Sequence, residues 1–256
     1  MNSSELEEYI SGREPLPENM LRWQLYGAGL SSLGKHGRPE IVPVPHFSPA
    51  ELLVRQDACG LCFSDTKVIA LGSEHPRMTG RDLASDPVTL GHEVSCTVVG
   101  VGDAIADRFH VGDRFVIQAD VFYHGQSMAY GYVIPGGLSQ FSVIPKEILD
   151  GDEGCYLLPL SPSTGYAEAA LTEPWACVTA AYEQSHRAGL KPNGSLLVIV
   201  GKDASPADYD WSGLFPEGQT AASALVLEAG GMLNGLGRGL SVDTHTRHVD
   251  AADGPL

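Results

Sequence analysis

Basic residues are scarce in this chain: Lys and Arg number 16 against 32 Asp and Glu, a net charge of −16 over 256 residues. That balance repels nucleic-acid backbones and anionic membrane surfaces, and argues against both as main partners. A phosphate-bearing cofactor stays compatible, because a few local cations or backbone amides can hold an anion inside an acidic protein. Long apolar runs are lacking too; none approaches the roughly 18 residues of a membrane-spanning helix. The opening MNSSELEEYI is acidic and polar, without the basic and apolar regions of a signal peptide, so a cytoplasmic location is the expectation. Cysteine is sparse and odd in number. Cys59, Cys62, Cys96, Cys155 and Cys177 are scattered, which does not look like a disulfide framework. No period of 20–50 residues repeats, which excludes solenoids and propellers.

What is present is enough apolar material, 43% of residues, to fill a core. Residues 21–26, 41–44, 51–56, 95–101, 114–119 and 138–144 read as short strands, β-branched or alternating, with Gly102-Asp103 and Gly112-Asp113 as turns. Many short strands point to a closed or folded-over β architecture. Past Thr172 the character changes. Glu173-Pro174-Trp175 and the following ACVTAAYEQSHRAGL read as a helix, with Pro174 in its first turn and Gly189 at its end. Ser195–Val200 is a short apolar run flanked by glycines, the pattern of a buried parallel strand. Residues 221–228 read as a second helix, and the polar end SVDTHTRHVDAADGPL as loosely held chain.

Three constellations carry chemistry. Cys59-Gly60-Leu61-Cys62-Phe63-Ser64-Asp65 opens with a Cys-x-x-Cys pair, but no second pair follows to complete a four-thiolate cage. Cys59 reads as a small buried hydrophobe, whereas Cys62 is a candidate ligand. Gly91-His92-Glu93 follows the apolar Val88-Thr89-Leu90, where a histidine can equally be a hydrogen-bonded core residue. Glu173 stands among apolar neighbours, where a carboxylate needs a cation, a metal or a proton, or else marks a solvated helix start. Tyr123, His124, Tyr130 and Tyr132 lie on an aromatic, Gly-rich loop that either walls a pocket or is exposed. His75, His186, His245 and His248 read as surface residues.

The order Cys62-x-Ser64-Asp65, Gly91-His92-Glu93, then the run from Val101-Gly102 to Val111-Gly112-Asp113-Arg114-Phe115 resembles the medium-chain dehydrogenase/reductase superfamily. Phe115-Val116-Ile117-Gln118, Gly136-Gly137, Tyr156-Leu157-Leu158-Pro159 and Glu173-Pro174 are similar to its sorbose-1-phosphate reductase and polyol dehydrogenase branch. The resemblance implies a fold grading from α+β to α/β. A GroES-like β-barrel catalytic domain with an N-terminal extension would span residues 1–172, and a partial Rossmann-like nucleotide-binding segment 173–256. It further implies Zn2+ held by Cys62, His92 and Glu173, with Glu93 a further ligand or just behind the metal, and Ser64 as the proton relay. Ser64 can alternatively cap a local turn. NAD or NADP would be the hydride partner, and an alcohol, polyol or sugar phosphate the substrate, the acidic excess weighing against a heavily phosphorylated one. Relatives are often dimers or tetramers, which makes a homo-oligomer a further expectation.

The chain also departs from the family. The cysteine lobe of a structural zinc is missing, and Cys96 stands where relatives usually carry a glycine, a change of packing rather than chemistry. After Ser195–Val200 comes Gly201-Lys202-Asp203-Ala204-Ser205-Pro206, which keeps only the first glycine of a G-x-G-x-x-G turn, leaving Gly201 as the cofactor-binding candidate. The glycines of residues 230–237 do not match that turn either. About 80 residues after Glu173 are fewer than a full doubly wound domain needs, since each βαβ unit takes roughly 30. A zinc-dependent oxidoreductase is the first expectation. A non-catalytic or fragmentary zinc-binding module unable to hold NAD(P) is the second, and a metal-free scaffold for protein contacts the third.

Overall fold

A computed structural model describes residues 3–78, 80–183, 191–200, 220–228 and 244–248. The chain forms two units, Met1–Cys177 and Val178–Leu256. In the first, helix α1 (Ser3–Ser11) precedes an antiparallel ribbon of β1 (Asn19–Arg22) and β2 (Glu40–Pro43). Then follow β3 (Leu52–Gly60), helix α2 (Phe63–Leu71), β4 (Glu93–Val101) and β5 (Arg114–Ile117). A small hairpin of β6 (Phe122–Tyr123) and β7 (Gln126–Ser127) leads to β8 (Phe141–Ile144), α3 (Lys146–Leu149) and β9 (Leu157–Pro159). Helices α4 (Tyr166–Ala170) and α5 (Thr172–Tyr182) come next. Strands β8-β3-β4-β5-β9, in that order, form one antiparallel sheet. Sheet and ribbon together are the β architecture that the short strands implied.

Period-two alternation decides which residues fill the core. Along β3, Leu52 and Val54 enter one apolar cluster while Leu53 enters another on the opposite face. On β4, Val94, Cys96 and Val98 join the first cluster, and the strand is buried along nearly its whole length, as suits the middle of the sheet. Each fully buried Leu or Val there contributes on the order of 1.5–3 kcal/mol. Cys96 fills its glycine-like position as a core residue, its thiol donating to the Phe115 carbonyl at 3.6 Å and pushed up in pKa by burial. A third cluster, containing Leu25, Val68, Leu90 and Tyr132, lies beneath α2.

Three of the expected strands are shorter than their apolar patterns, the one expected at 114–119 ending at Ile117. The strand expected at residues 21–26 ends at Arg22, and Leu25 continues only through single bridges to Leu33 and Val88. The strand expected at 138–144 begins at Phe141, because Gly136, Gly137 and Leu138 donate instead to the carbonyls of Thr89, Gly91 and Leu90. That clasp holds the backbone beside His92.

In the second unit, β10 (Ser195–Val200), β11 (Ser223–Glu228) and β12 (Thr244–His248) form a parallel sheet in that order. β10 is parallel as its sequence implied, but it is not the buried strand expected, since Leu197 and Ile199 are 55% and 62% exposed. The helix expected over residues 221–228 is instead β11: Leu225-Val226-Leu227 is too short a run for its period to decide, and the parallel register with β10 overrides the helical propensity of its Ala, Leu and Glu. The polar end is likewise corrected in part, since Thr244–His248 pairs with β11, its alternating Thr residues suiting a strand. Gly189, His186 and Gly201 lie outside the described residues. Among the described residues no helix is long and apolar enough to cross a membrane.

Candidate metal centre

Cys62 stands at the N-cap of α2 in extended conformation. Its backbone N–H donates to Asp65 Oδ2 at 3.0 Å, and the Asp65 N–H donates back to the Cys62 carbonyl at 3.1 Å. This closes the helix start through the Cys62 backbone and the Asp65 carboxylate, and Cys62 lines the cleft beside His92. Gly91, at φ +92°, adopts a conformation that a side chain disfavours, and an added Cβ there would strike Cys59 Sγ. From that turn His92 and Glu93 enter β4, with Glu93 opposite Gly60 of β3. A Cβ on Gly60 would collide with the Glu93 carboxylate, so glycine at this position makes room for it.

These turns bring ligand atoms of Cys62, His92 and Glu93 to within 4.8 Å of one another. His92 and Glu93 are both 6% exposed. The imidazole is held between two polar groups: Nε2 lies 3.4 Å from Ser64 Oγ, and Nδ1 3.6 Å from Asp65 Oδ1. Neither Nδ1 nor that carboxylate oxygen completes a hydrogen bond, although both are buried. Burial pushes the His92 pKa down, but Asp65 and then Cys62 outweigh it and hold the ring up at about 9. The negative surroundings that favour a proton on His92 would equally favour a cation beside it. Thiolate, imidazole and carboxylate form a donor set suited to zinc, and a carboxylate behind a ligating histidine fixes its tautomer and orientation.

The same cleft, about 420 Å³, is lined by Ser64, Tyr132 and Glu173 as well as the three candidate ligands. Tyr132 donates to Ser64 Oγ at 3.1 Å, and its ring stacks on His75 with centroids 6.2 Å apart. Of the four aromatic-loop residues, Tyr132 therefore walls the cleft. Tyr130 is fully buried and accepts from Gln56, and Tyr123 and His124 belong to the β6–β7 hairpin region, with His124 exposed. His75, expected on the surface, is a half-buried cleft residue. Glu173 lies in the first turn of α5, and its Oε1 accepts from the Cys177 thiol at 3.6 Å. It shares the cleft but is not one of the three clustered ligand residues. Asp65 was missed as a site residue; the signal for it is an acid three residues after Cys62, where a carboxylate both caps α2 and backs His92.

Residues 48–150 match the family described as the alcohol dehydrogenase GroES-like domain. The chain carries an alcohol dehydrogenase GroES-like domain. Over 167 residues it is 36% identical to the mannitol-1-phosphate 5-dehydrogenase of Aliivibrio fischeri, covering 61% of this chain and 38% of that protein. Over 175 residues it is 31% identical to the L-sorbose 1-phosphate reductase of Klebsiella pneumoniae, covering 64% of this chain and 42% of that protein. The aligned stretch thus spans less than half the length of these two relatives. Among solved structures, 2R,3R-butanediol dehydrogenase from Bacillus subtilis shares the fold at a TM-score of 0.50 and 21% identity, over 93% of this chain and 65% of that one.

Within the GroES-like domain the Asp65–His92 contact gives a direct titration test. In metal-free protein the His92 ring, followed by NMR, is expected to titrate near pH 9 and to fall toward its ordinary 6.5 in Asp65→Asn. Below pH 9 a metal must displace that proton, so zinc affinity is expected to rise with pH by about tenfold per unit for this proton. A wild-type midpoint near 6.5 would remove Asp65 from the site.

Proposed function

We propose that this chain supplies the zinc site and alcohol pocket of a nicotinamide-dependent dehydrogenase, which transfers hydride between a secondary alcohol carbon of a polyol-like substrate and NAD or NADP. The observation that carries this is the clustering of Cys62, His92 and Glu93 beside the Ser64–Tyr132 hydroxyl pair. The names of the relatives, a polyol-phosphate dehydrogenase and a sugar-phosphate reductase, support the reaction class and substrate type. Parallel strands β10–β12 are in keeping with a layer that could carry a dinucleotide.

Cys62, His92 and Glu93 would hold the zinc, with Glu173 the further candidate ligand on the same cleft. When bound, zinc supplies Lewis-acid polarisation that lowers the pKa of an alcohol oxygen. Asp65 keeps the His92 ring oriented by taking the Nδ1 side, which leaves Nε2 toward the cleft. Ser64 takes up the hydroxyl proton of the substrate as it gives its own to water at the open side of the cleft, while Tyr132, which donates to Ser64 Oγ at 3.1 Å, holds that hydroxyl in place; reduction runs the same exchange in reverse.

The test is zinc analysis of the purified chain together with NADH and NADPH titration and a polyol and sugar-phosphate screen, with Ser64→Ala alongside. About one zinc per chain, saturable dinucleotide binding, and turnover lowered by roughly 10²-fold or more in Ser64→Ala at unchanged zinc content are expected. Zinc without dinucleotide binding would favour the module reading, whose motive is the single glycine of the turn at Gly201. Absence of zinc would overturn the proposal.

A further inference from the structure

One wall of the cleft has the opposite charge to the rest of the molecule. Lys67 follows Ser64 by three residues on α2, so helical geometry sets the two on one face, and both line the cleft. Among the described residues no carboxylate lies within ion-pair distance of Lys67; its ammonium sits 5.1 Å from the Phe63 ring centroid. Arg77 lies across the Tyr132 ring, 4.9 Å from guanidinium carbon to centroid. It spends one nitrogen on Asp120 at 3.2 Å, in a pair 48% and 60% exposed that is weak in water and leaves other donors available. His75, between them, is held below its ordinary pKa by burial and then by the charges of Arg77 and Lys67. Lys67 and Arg77 thus place two positive charges on this wall, in a cleft whose remaining lining includes Glu93, Asp120 and Glu173.

Tyr132 joins the two ends of this cleft. Its hydroxyl reaches Ser64, beside the candidate metal ligands, while its ring carries Arg77 on one side and His75 in a stack. A molecule with a hydroxyl at Ser64 therefore has Lys67 one helical turn away and reaches Arg77 over the Tyr132 ring.

We propose that Lys67 and Arg77 are specificity-determining residues that hold a phosphate monoester at the far end of the substrate, so that the substrate is a phosphorylated polyol rather than a neutral one. This rests on the cleft being the alcohol pocket proposed above. Lys67 acts as a mobile point charge, and Arg77 as a planar donor fixed by the Tyr132 ring.

The experiment is calorimetric titration of the full zinc-loaded chain with a hexitol 1-phosphate, the unphosphorylated hexitol, inorganic phosphate and NADH. Lys67→Gln, Arg77→Gln and Arg77→Lys are compared, with zinc content measured for each. The hexitol phosphate is expected to bind at least about tenfold tighter than the hexitol, and each Gln variant to lose roughly 10- to 100-fold of phosphate affinity. Arg77→Lys, which keeps the charge, is expected to retain most of the preference. Equal affinity for hexitol and hexitol phosphate in zinc-loaded protein would overturn the inference and leave the dehydrogenase reading standing. Variants that weaken NADH but not hexitol phosphate would assign the cations to the cofactor and overturn it as well. Phosphate preference in a chain that takes up no zinc would sustain the anion site while sinking the metal reading.

Discussion

Cys62→Ala is expected to lose zinc almost completely, its affinity falling by more than about 100-fold, since even a partner behind a ligand is worth 10- to 100-fold. The thiolate is the softest donor of the three, and without it His92 and Glu93 remain as the two clustered ligands, with Glu173 the one further candidate on the cleft, for a site that normally uses three or four. Fold and metal can be separated at this residue. The closure of α2 uses the backbone N–H and carbonyl of Cys62, both of which alanine keeps. Circular dichroism of the variant should therefore match wild type while mass spectrometry of dialysed protein shows the metal gone. Cys59→Ala is the control. Its thiol packs against the core and is raised to about 12 by burial, then by Asp65 and Glu93, so its loss should leave zinc content unchanged. Zinc retained at wild-type affinity in Cys62→Ala, or lost equally in Cys59→Ala, would remove the proposed centre.

The two cysteines are told apart in the sequence because Cys62, not Cys59, opens the Cys62-x-Ser64-Asp65 order of the resemblance, and the structure sets Cys62 beside His92 and Glu93. Most strands were legible from short apolar, β-branched runs bounded by turn residues, as at the start of β3, where Leu52, Leu53 and Val54 are all buried between two apolar clusters. What failed has physical causes. β11 carries Leu-Val-Leu in a run shorter than two helical turns, where periods of 2 and 3.6 cannot be told apart, and strand pairing decided it. α2 was hidden because its apolar face is slight, with only Asp65 and Val68 buried. Glu173 illustrates another limit. Its apolar neighbours suggested burial, yet Leu171 and Trp175 are 49% and 66% exposed, so neighbours in sequence did not report its surroundings. His75 was misjudged from the opposite direction, since it reaches the cleft by stacking on a ring 57 positions further along the chain, and no local pattern encodes such a contact.

The largest effect on stability is expected at Asp57, far from any chemistry. In the pairing of β3 with β4, Gln56 faces Cys96 and Ala58 faces Ser95, so Asp57 is the extra residue of a β-bulge. Its side chain has no exposed surface, and that of Arg55 only 8%. Asp57 Oδ1 accepts from Arg55 Nε at 2.7 Å and from the Tyr9 hydroxyl at 3.1 Å, while Oδ2 accepts from Thr97 at 2.5 Å. Arg55 in turn lies 3.4 Å from the Tyr9 ring centroid, which ties α1 to the sheet. Asp57→Ala leaves that guanidinium buried with only the partly exposed Glu14 at 3.4 Å as a counter-charge, and one of its nitrogens, Nη2, is already unpartnered. The expected cost is about 3–5 kcal/mol, read as the drop in unfolding free energy of the Met1–Cys177 unit in urea. Replacing both charges, as Arg55→Met with Asp57→Leu, should recover most of that loss, because the penalty comes from stranding a charge rather than from losing attraction. The network also predicts a pH dependence. Burial first, and then the charge of Asp57, raise the Tyr9 pKa to about 12, so this contribution is fully present below pH 10 and is lost as pH rises through 12. A cost below about 1 kcal/mol for Asp57→Ala, or a double variant no better than the single one, would show that α1 is held by the Tyr9–Arg55 stack alone and not by the carboxylate beneath it.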